Sequence, residues 1–120
     1  MTDHDHHHMR AGVIAFLKET ITKLAQEYAE ATIAYYSAKG ARNEAEALRT
    51  SSRASGILDS VTSTLAAYVV LGSNPIETLR SRARATTYGP VGAARLNEIA
   101  DEIIIVRGEL LESSGAARPS

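Results

Sequence analysis

Apolar residues near the start of the chain recur at alternating steps of three and four, and this spacing constrains the fold more than any other feature. The first series is Ile14, Leu17, Ile21, Leu24, Tyr28, Ala31, Tyr35 and Ala38. A second series near the other end is Leu96, Ile99, Ile103, Val106 and Leu110. A mean spacing of about 3.5 residues keeps one side of a helix facing a partner helix over many turns. The sequence therefore predicts an all-α protein in which long helices pack side by side.

Glycine and asparagine residues mark the ends of four predicted helices. These helices cover about residues 9–39, 44–71, 75–88 and 90–113. The first two end before Gly40 and Gly72, since glycine readily adopts the left-handed conformation found at helix ends. Asn43 and Glu46 have the spacing of a capping box, and Asn74 is followed by a proline at the first helical position. We expect a four-helix bundle with two long antiparallel helices, a shorter helix and a long C-terminal helix.

The chain length of 120 residues suits one domain. Residues 1–8 contain every histidine of the chain and are expected to be a flexible terminus. No histidine elsewhere could complete a rigid metal site with them. Residues 9–113 are expected to form the single helical domain, and residues 114–120 a frayed tail.

Composition excludes several kinds of function. The chain has no cysteine, which rules out disulfides, thiolate nucleophiles and cysteine-ligated zinc. The stretch 56–71 carries one charge, but it is shorter than the ~20 residues of a membrane span and is rich in serine and threonine. The acidic, His-rich start does not resemble a signal peptide. These features predict a protein without a membrane partner, either cytoplasmic or part of a virion or another large assembly.

The second predicted helix is unusual for its hydroxyl side chains. They are Thr50, Ser51, Ser52, Ser55, Ser60, Thr62, Ser63 and Thr64. Small residues allow close approach of neighbouring helices, and hydroxyls can bond to the carbonyls of the preceding turn. The sequence leaves two interpretations open, a closely packed central helix and a polar-lined groove.

Carboxylates on the first two helices raise an enzymatic alternative. Glu27 and Glu30 lie one turn apart, and Asp59 follows on the next helix. This arrangement resembles the EExxE and ExxD pattern of the MazG-type all-α nucleotide pyrophosphohydrolases, over the first two helices. Gln26 and Gly56 stand where that pattern has glutamates. The resemblance implies a magnesium site at Glu27, Glu30 and Asp59. It implies, as the alternative function, a metal-dependent hydrolase or a degenerate relative that has lost the activity. From the residues alone, we expect Asp59 to form an ion pair with Arg53, Arg80 or Arg107.

A run of arginines raises a second alternative, nucleic-acid binding. Its members are Arg80, Arg82, Arg84 and Arg95. Ala85 and Gly89 have the relative spacing of the small residue and the turn glycine of a helix-turn-helix. However, Arg95 occupies a position where a recognition helix buries an apolar side chain, and the net charge of −1 does not favour nucleic acid. The other interpretation is that Arg80 and Arg84 pair with acids of the fourth helix or of a second subunit.

The fourth helix carries more apolar surface than one contact within the chain requires. Together with an exposed tyrosine, it supplies the predicted interface residues Leu96, Ile99, Ile103, Ile104, Val106, Leu110, Leu111 and Tyr36. We expect a homo-oligomer. The predicted function is a non-enzymatic oligomerisation or adaptor module that binds other protein chains, with no catalytic residues and no cofactor. A virion component or a small inhibitor of a host protein fits this description.

Overall fold

The protein is an elongated bundle of antiparallel helices. The computed structural model describes residues 3–85 and 89–116, and these residues form four helices and no strand. The helices are α1 (Asp3–Ser37), α2 (Glu44–Leu71), α3 (Pro75–Arg84) and α4 (Gly89–Ala116). The molecule measures 65 × 23 × 23 Å. The predicted all-α, bundle-like fold is confirmed.

Contacts between side chains fix the directions of α1 and α2. The Arg10 guanidinium, near the start of α1, donates to the Val69 carbonyl near the end of α2 at 3.0 Å. Near the other end of α1, the hydroxyls of Thr32 and Ser51 lie 3.4 Å apart. The two helices are therefore antiparallel.

The fourth helix runs back along α1. Arg95, near its start, lies 3.5 Å from Glu27, and Leu110, near its end, lies against Gly12. The short helix α3 packs beside the middle of α4, where Arg80 reaches Asp101. Each helix thus adjoins the next, and α4 closes the bundle against α1.

The ends of α2 are as predicted, although one predicted cap is wrong. At its C-terminus Gly72 has φ +70°, and its amide donates to the Tyr68 carbonyl at 3.1 Å. At its N-terminus Asn43 makes no side-chain capping bond. Glu46 instead accepts a hydrogen bond from Arg49 at 2.8 Å. A capping box requires the Glu46 carboxylate to accept a hydrogen bond from the Asn43 backbone amide, and here that carboxylate binds Arg49 instead.

The start of α3 is as predicted, but its end is not. The Asn74 side chain accepts from the amides of Ile76 at 2.9 Å and Glu77 at 3.2 Å. The helix ends at Arg84, because Ala85 is extended with φ −70° and ψ 129°. The predicted end at residue 88 lies outside the described residues, but the helix has already stopped before them. Two β-branched threonines follow Ala85 in the sequence, and such residues lower helix propensity.

Both long terminal helices differ from their predicted bounds. The backbone of α1 is helical from Asp3, well before the predicted start at Met9, and ends at Ser37. No glycine or proline separates Asp3 from Met9, so nothing in the sequence interrupts the helix there. The helix α4 continues to Ala116, past the predicted end at residue 113. The first two residues of the predicted flexible N-terminus and residues 117–120 of the predicted tail lie outside the described residues.

The core is built mostly from aliphatic side chains. Its buried members are Val13, Leu17, Leu24, Ile57, Val61, Leu79, Ala83, Leu96, Ile99, Ala100 and Ile103. The buried side of α1 is rotated slightly from the predicted one, because Val13 and Thr20 are buried while Tyr28 is exposed. Thr20 and Thr64 donate to carbonyls one turn earlier, those of Phe16 and Ser60. Burying a hydroxyl costs little when it is bonded in this way, which lets α2 place serine and threonine in the core.

The bundle divides into two sections along its length. The four-helix section contains α3 and nearly all of the buried core, and it comprises residues 13–24, 57–71, 75–84 and 96–110. Within it, α3 does not reach the later turns of α4. The three-helix section comprises residues 25–56 and 89–95, where α1 and α2 have only the start of α4 beside them. Among the described residues, Ala38 is the one buried apolar residue outside the four-helix section.

Candidate functional site: an apolar end patch and a charged pocket

Three of the predicted interface residues belong to the core of the chain itself. Leu96, Ile99 and Ile103 are buried against the other helices. They are therefore not available to a partner on the surface of this fold. Val106 and Leu110 are half-buried, and Leu110 lies against Gly12 of α1.

Other apolar side chains of α4 are exposed. The exposed fractions are 50% for Ile104, 59% for Ile105 and 46% for Leu111. At the end of α2, Val70 and Leu71 are 77% and 76% exposed. We call these five residues the end patch.

The members of the end patch lie toward one end of the bundle. The contact of Arg10 with Val69 and that of Gly12 with Leu110 place the ends of α2 and α4 at the same level of α1. Tyr36, the remaining predicted interface residue, is also exposed, but it lies in the three-helix section. The structure thus brings Ile104 and Leu111 toward a common end and leaves Tyr36 at the other.

The short length of α3 leaves the apolar side of α4 uncovered. Arg80 of α3 contacts Asn97 and Asp101 on α4 at 3.2 and 2.6 Å. Helical spacing continues the same side of α4 through Ile104 and Leu111. Because α3 begins only at Pro75, it covers the earlier part of this side and leaves the later part exposed.

The predicted arginine run is divided among different surroundings. Arg80 pairs with Asp101, which confirms its predicted pairing with an acid of the fourth helix. Arg95 pairs with Glu27 of α1. Arg82 and Arg84 form no ion pair within the described part of the chain, so the predicted pairing of Arg84 is absent there. Two of the four guanidiniums are thus engaged within the bundle, and the four do not act as one free basic surface.

The acids behind the hydrolase alternative have separate neighbours. Glu27 faces Arg95, and Glu30 accepts a hydrogen bond from Gln26 at 3.3 Å. Asp59 is exposed and forms no ion pair with the described residues, so its predicted pairing is wrong. Within residues 3–85 and 89–116, no three histidine, aspartate or glutamate side chains are grouped as metal ligands would be.

The orientation of Asp59 follows from the buried side of α2. That side is formed by Ile57, Ser60, Val61 and Thr64. At about 100° per residue, Asp59 falls on the opposite side of the helix. Serine and threonine in the core concealed this orientation in the sequence, because a hydrophobic pattern does not count them as core residues.

A pocket of about 230 Å³ opens where the three-helix section adjoins the four-helix section. Its lining residues are Leu24, Glu27, Ala31, Thr50, Arg53, Ala54, Ile57, Val91 and Arg95. The lining is mostly aliphatic, with two guanidiniums and one carboxylate. Nothing in the sequence pattern indicated this pocket, because it depends on where α3 ends in space.

One described helix, α2, is long and apolar enough to cross a membrane by length and composition. Of the stretch that meets these criteria, 22% is buried within the protein. One such helix is weak evidence for a membrane span, since core helices of other proteins meet the same criteria.

No protein-family model, curated protein sequence or solved structure matches this chain.

Proposed function

We propose that this protein is a non-enzymatic helical module that self-associates and acts through protein–protein contacts. The observation that carries the proposal is the end patch, because its large apolar side chains remain exposed although the core of the single chain is filled. Grouped exposed apolar residues are typical of protein interaction sites.

The size of the hydrophobic contribution supports association. Burial of one leucine or isoleucine side chain contributes about 1.5–3 kcal/mol. In a symmetric dimer each residue counts twice, since both copies present the same surface. Ile104, Leu111 and Leu71 are about half to three-quarters exposed, so their burial would supply that fraction of this free energy toward the cost of bringing two chains together.

Charges on the surface of the bundle suit a second copy of the chain as the partner. Glu109 and Glu112 are exposed on the last turns of α4. Arg82 and Arg84 on α3 have no ion pair among the described residues. One copy therefore presents both an acidic border and unpaired arginines, and complementary charges of this kind orient an encounter between proteins.

Measuring the mass in solution tests the proposal. We expect the wild-type protein to sediment as a defined multiple of the 12.8 kDa chain at concentrations from about 1 to 100 μM. The double variant Ile104→Glu with Leu111→Glu places two charges in the end patch, and we expect it to sediment as a single chain. Far-UV circular dichroism of the variant checks that its helices are intact.

Ile33→Glu is the matched control. Ile33 is also an exposed isoleucine, but it lies on α1 in the three-helix section. We expect this variant to keep the wild-type mass. A wild-type protein that remains a single chain at about 100 μM contradicts the proposal. So does an oligomer that Ile33→Glu disrupts and the end-patch variant does not.

A further inference from the structure

The pocket exists because α3 is shorter than its neighbours. Arg80 lies beside Asn97 and Asp101, and α3 ends one turn later at Arg84. From there toward the start of α4, no described helix takes the place of α3. The gap leaves the groove between α1, α2 and the first turns of α4 open to solvent.

The floor of this pocket is apolar. Leu24 and Ile57 are buried beneath it, and Ala31 and Ala54 provide small side chains along it. Val91 forms part of its rim. A ligand that fits this floor must carry an aliphatic or aromatic group, since apolar surface is what the pocket removes from water.

The two arginines of the pocket have unused hydrogen-bonding capacity. The Nε of Arg95 is buried and has no acceptor among the described residues. Its single ion pair, to Glu27, measures 3.5 Å, which is longer than the ~2.7–2.9 Å of a strong charge-assisted hydrogen bond. Arg53 forms no ion pair within the described part of the chain. The pocket lining therefore has two guanidiniums and one carboxylate, which Arg95 holds loosely. Arg53 also interacts electrostatically with Glu46, which is not part of the lining.

The start of α4 adds to the positive potential. The pocket includes Val91, in the first turn of a helix whose N-terminal amides point outward. The helix dipole places partial positive charge at this end. This partial charge has the same sign as the charges of Arg53 and Arg95, so the pocket favours an anion.

We propose that this pocket binds a small organic carboxylate, with its carboxylate on the guanidiniums of Arg95 and Arg53 and its hydrocarbon part on the apolar floor. A guanidinium presents a planar fork of donors that matches a carboxylate. The volume of about 230 Å³ equals that of about eight water molecules at ~30 Å³ each, which suits an acid of about that number of non-hydrogen atoms. The bound acid takes the place of the Glu27 carboxylate beside Arg95.

Hexanoate is the probe for this site. We expect it to shift the methyl resonances of Val91, Ile57 and Leu24 in a saturable way in a titration followed by NMR. Hexanol has the hydrocarbon part of hexanoate without its negative charge, and acetate has the negative charge without the longer hydrocarbon part. Both should bind about tenfold or more weakly than hexanoate. Equal binding of hexanol and hexanoate would overturn the proposal, and so would the absence of a saturable shift with hexanoate.

Three variants test the role of the charges. Arg95→Gln should weaken hexanoate binding about tenfold. Arg42→Gln, which removes an exposed arginine from the turn before α2, should leave it unchanged. Glu27→Gln should tighten binding several-fold, because it removes the carboxylate that competes for Arg95. A variant that failed to fold could not bind more tightly, so the Glu27→Gln result separates loss of charge from loss of structure. Weaker binding by Glu27→Gln, or unchanged binding by Arg95→Gln, would overturn the proposal.

Discussion

The four-helix and three-helix sections share the same two long helices but differ in how those helices are buried. In the four-helix section, α1 buries Val13, Leu17 and Leu24 and packs mainly against α2 and α4. Beyond α3, the same helix leaves Ile33 and Tyr36 exposed to solvent. The amino-acid composition of α1 also changes, because residues 25–36 contain four alanines and one larger aliphatic residue, Ile33. Side-chain size and the number of neighbouring helices therefore both contribute to the difference in burial.

This difference concentrates stability in one part of the molecule. Apolar burial contributes roughly 25 cal/mol for each Å² removed from water, and the buried aliphatic residues lie almost entirely in the four-helix section. The three-helix section is held by small side chains and by contacts such as that of Thr32 with Ser51. We infer that the four-helix section maintains the fold, while the three-helix section provides the pocket.

The largest expected effect comes from truncating matched residues of α1 in the two sections. Leu17→Ala leaves a cavity in the core and should lower the free energy of unfolding by about 2–5 kcal/mol. Ile33→Ala removes an exposed side chain and should change it by less than about 0.5 kcal/mol. Urea unfolding followed by circular dichroism measures both. Equal losses would show that the two sections contribute equally to stability.

A smaller effect is expected at the helix starts. Asn74 caps α3 with two hydrogen bonds. Asn74→Ala should therefore lower the free energy of unfolding by about 1 kcal/mol. Asn43 precedes α2 without a side-chain capping bond, so Asn43→Ala should have almost no effect. The midpoints of thermal unfolding distinguish the two variants. A larger loss for Asn43→Ala would mean that the cap of α2 forms in solution.

The smallest effect concerns the exposed ion pair at the start of α2. The hydrogen bond from Arg49, and then its positive charge, lower the pKa of Glu46 below its ordinary value of 4.5. Because the pKa is lower in the folded state, the ion pair stabilises the protein at pH values above the pKa of the unfolded state. This stabilisation is lost as the pH falls through the pKa of the folded state. Glu46→Gln should therefore be slightly less stable than wild type at pH 7 and equally stable well below pH 4.5.

Glu44→Gln is the control for that pH dependence. It removes a carboxylate from the same turn, and Glu44 has no ion pair among the described residues. Stability curves of the two variants against pH separate the contribution of the Arg49 contact from that of a negative charge near the helix start. A difference between Glu46→Gln and wild type that persists at acidic pH would contradict the role given to the ion pair.

The sequence predicted those features that depend on local chemistry. Gly72 and Asn74 marked the end of α2 and the start of α3, because a left-handed glycine and an asparagine side chain act within a few residues. The spacing of Leu96, Ile99 and Ile103 placed these residues on one side of a helix, as observed. Whether that side meets its own chain or a partner is a tertiary question that spacing leaves open.

Other features required the structure because they arise from distant contacts. The start of α3 at Pro75 determines the uncovered part of α4, and its end at Arg84 determines the position of the pocket. The capping-box spacing of Asn43 and Glu46 was present, but Arg49 offered Glu46 a closer partner. The pairing of Glu27 with Arg95 joins residues far apart in sequence and could not be read from either neighbourhood.

Gly12, near the start of α1, lies against Leu110, near the end of α4. A β-carbon at position 12 would overlap the Cδ1 atom of Leu110, so α1 and α4 approach closely only because that side chain is missing. A side chain added there would first displace the end of the Leu110 side chain, next to Leu111 in the sequence. The packing of Leu110 on α4 thus depends on the residue at position 12 of α1, so a substitution in the first helix would alter the surroundings of Leu111 without changing the end patch itself.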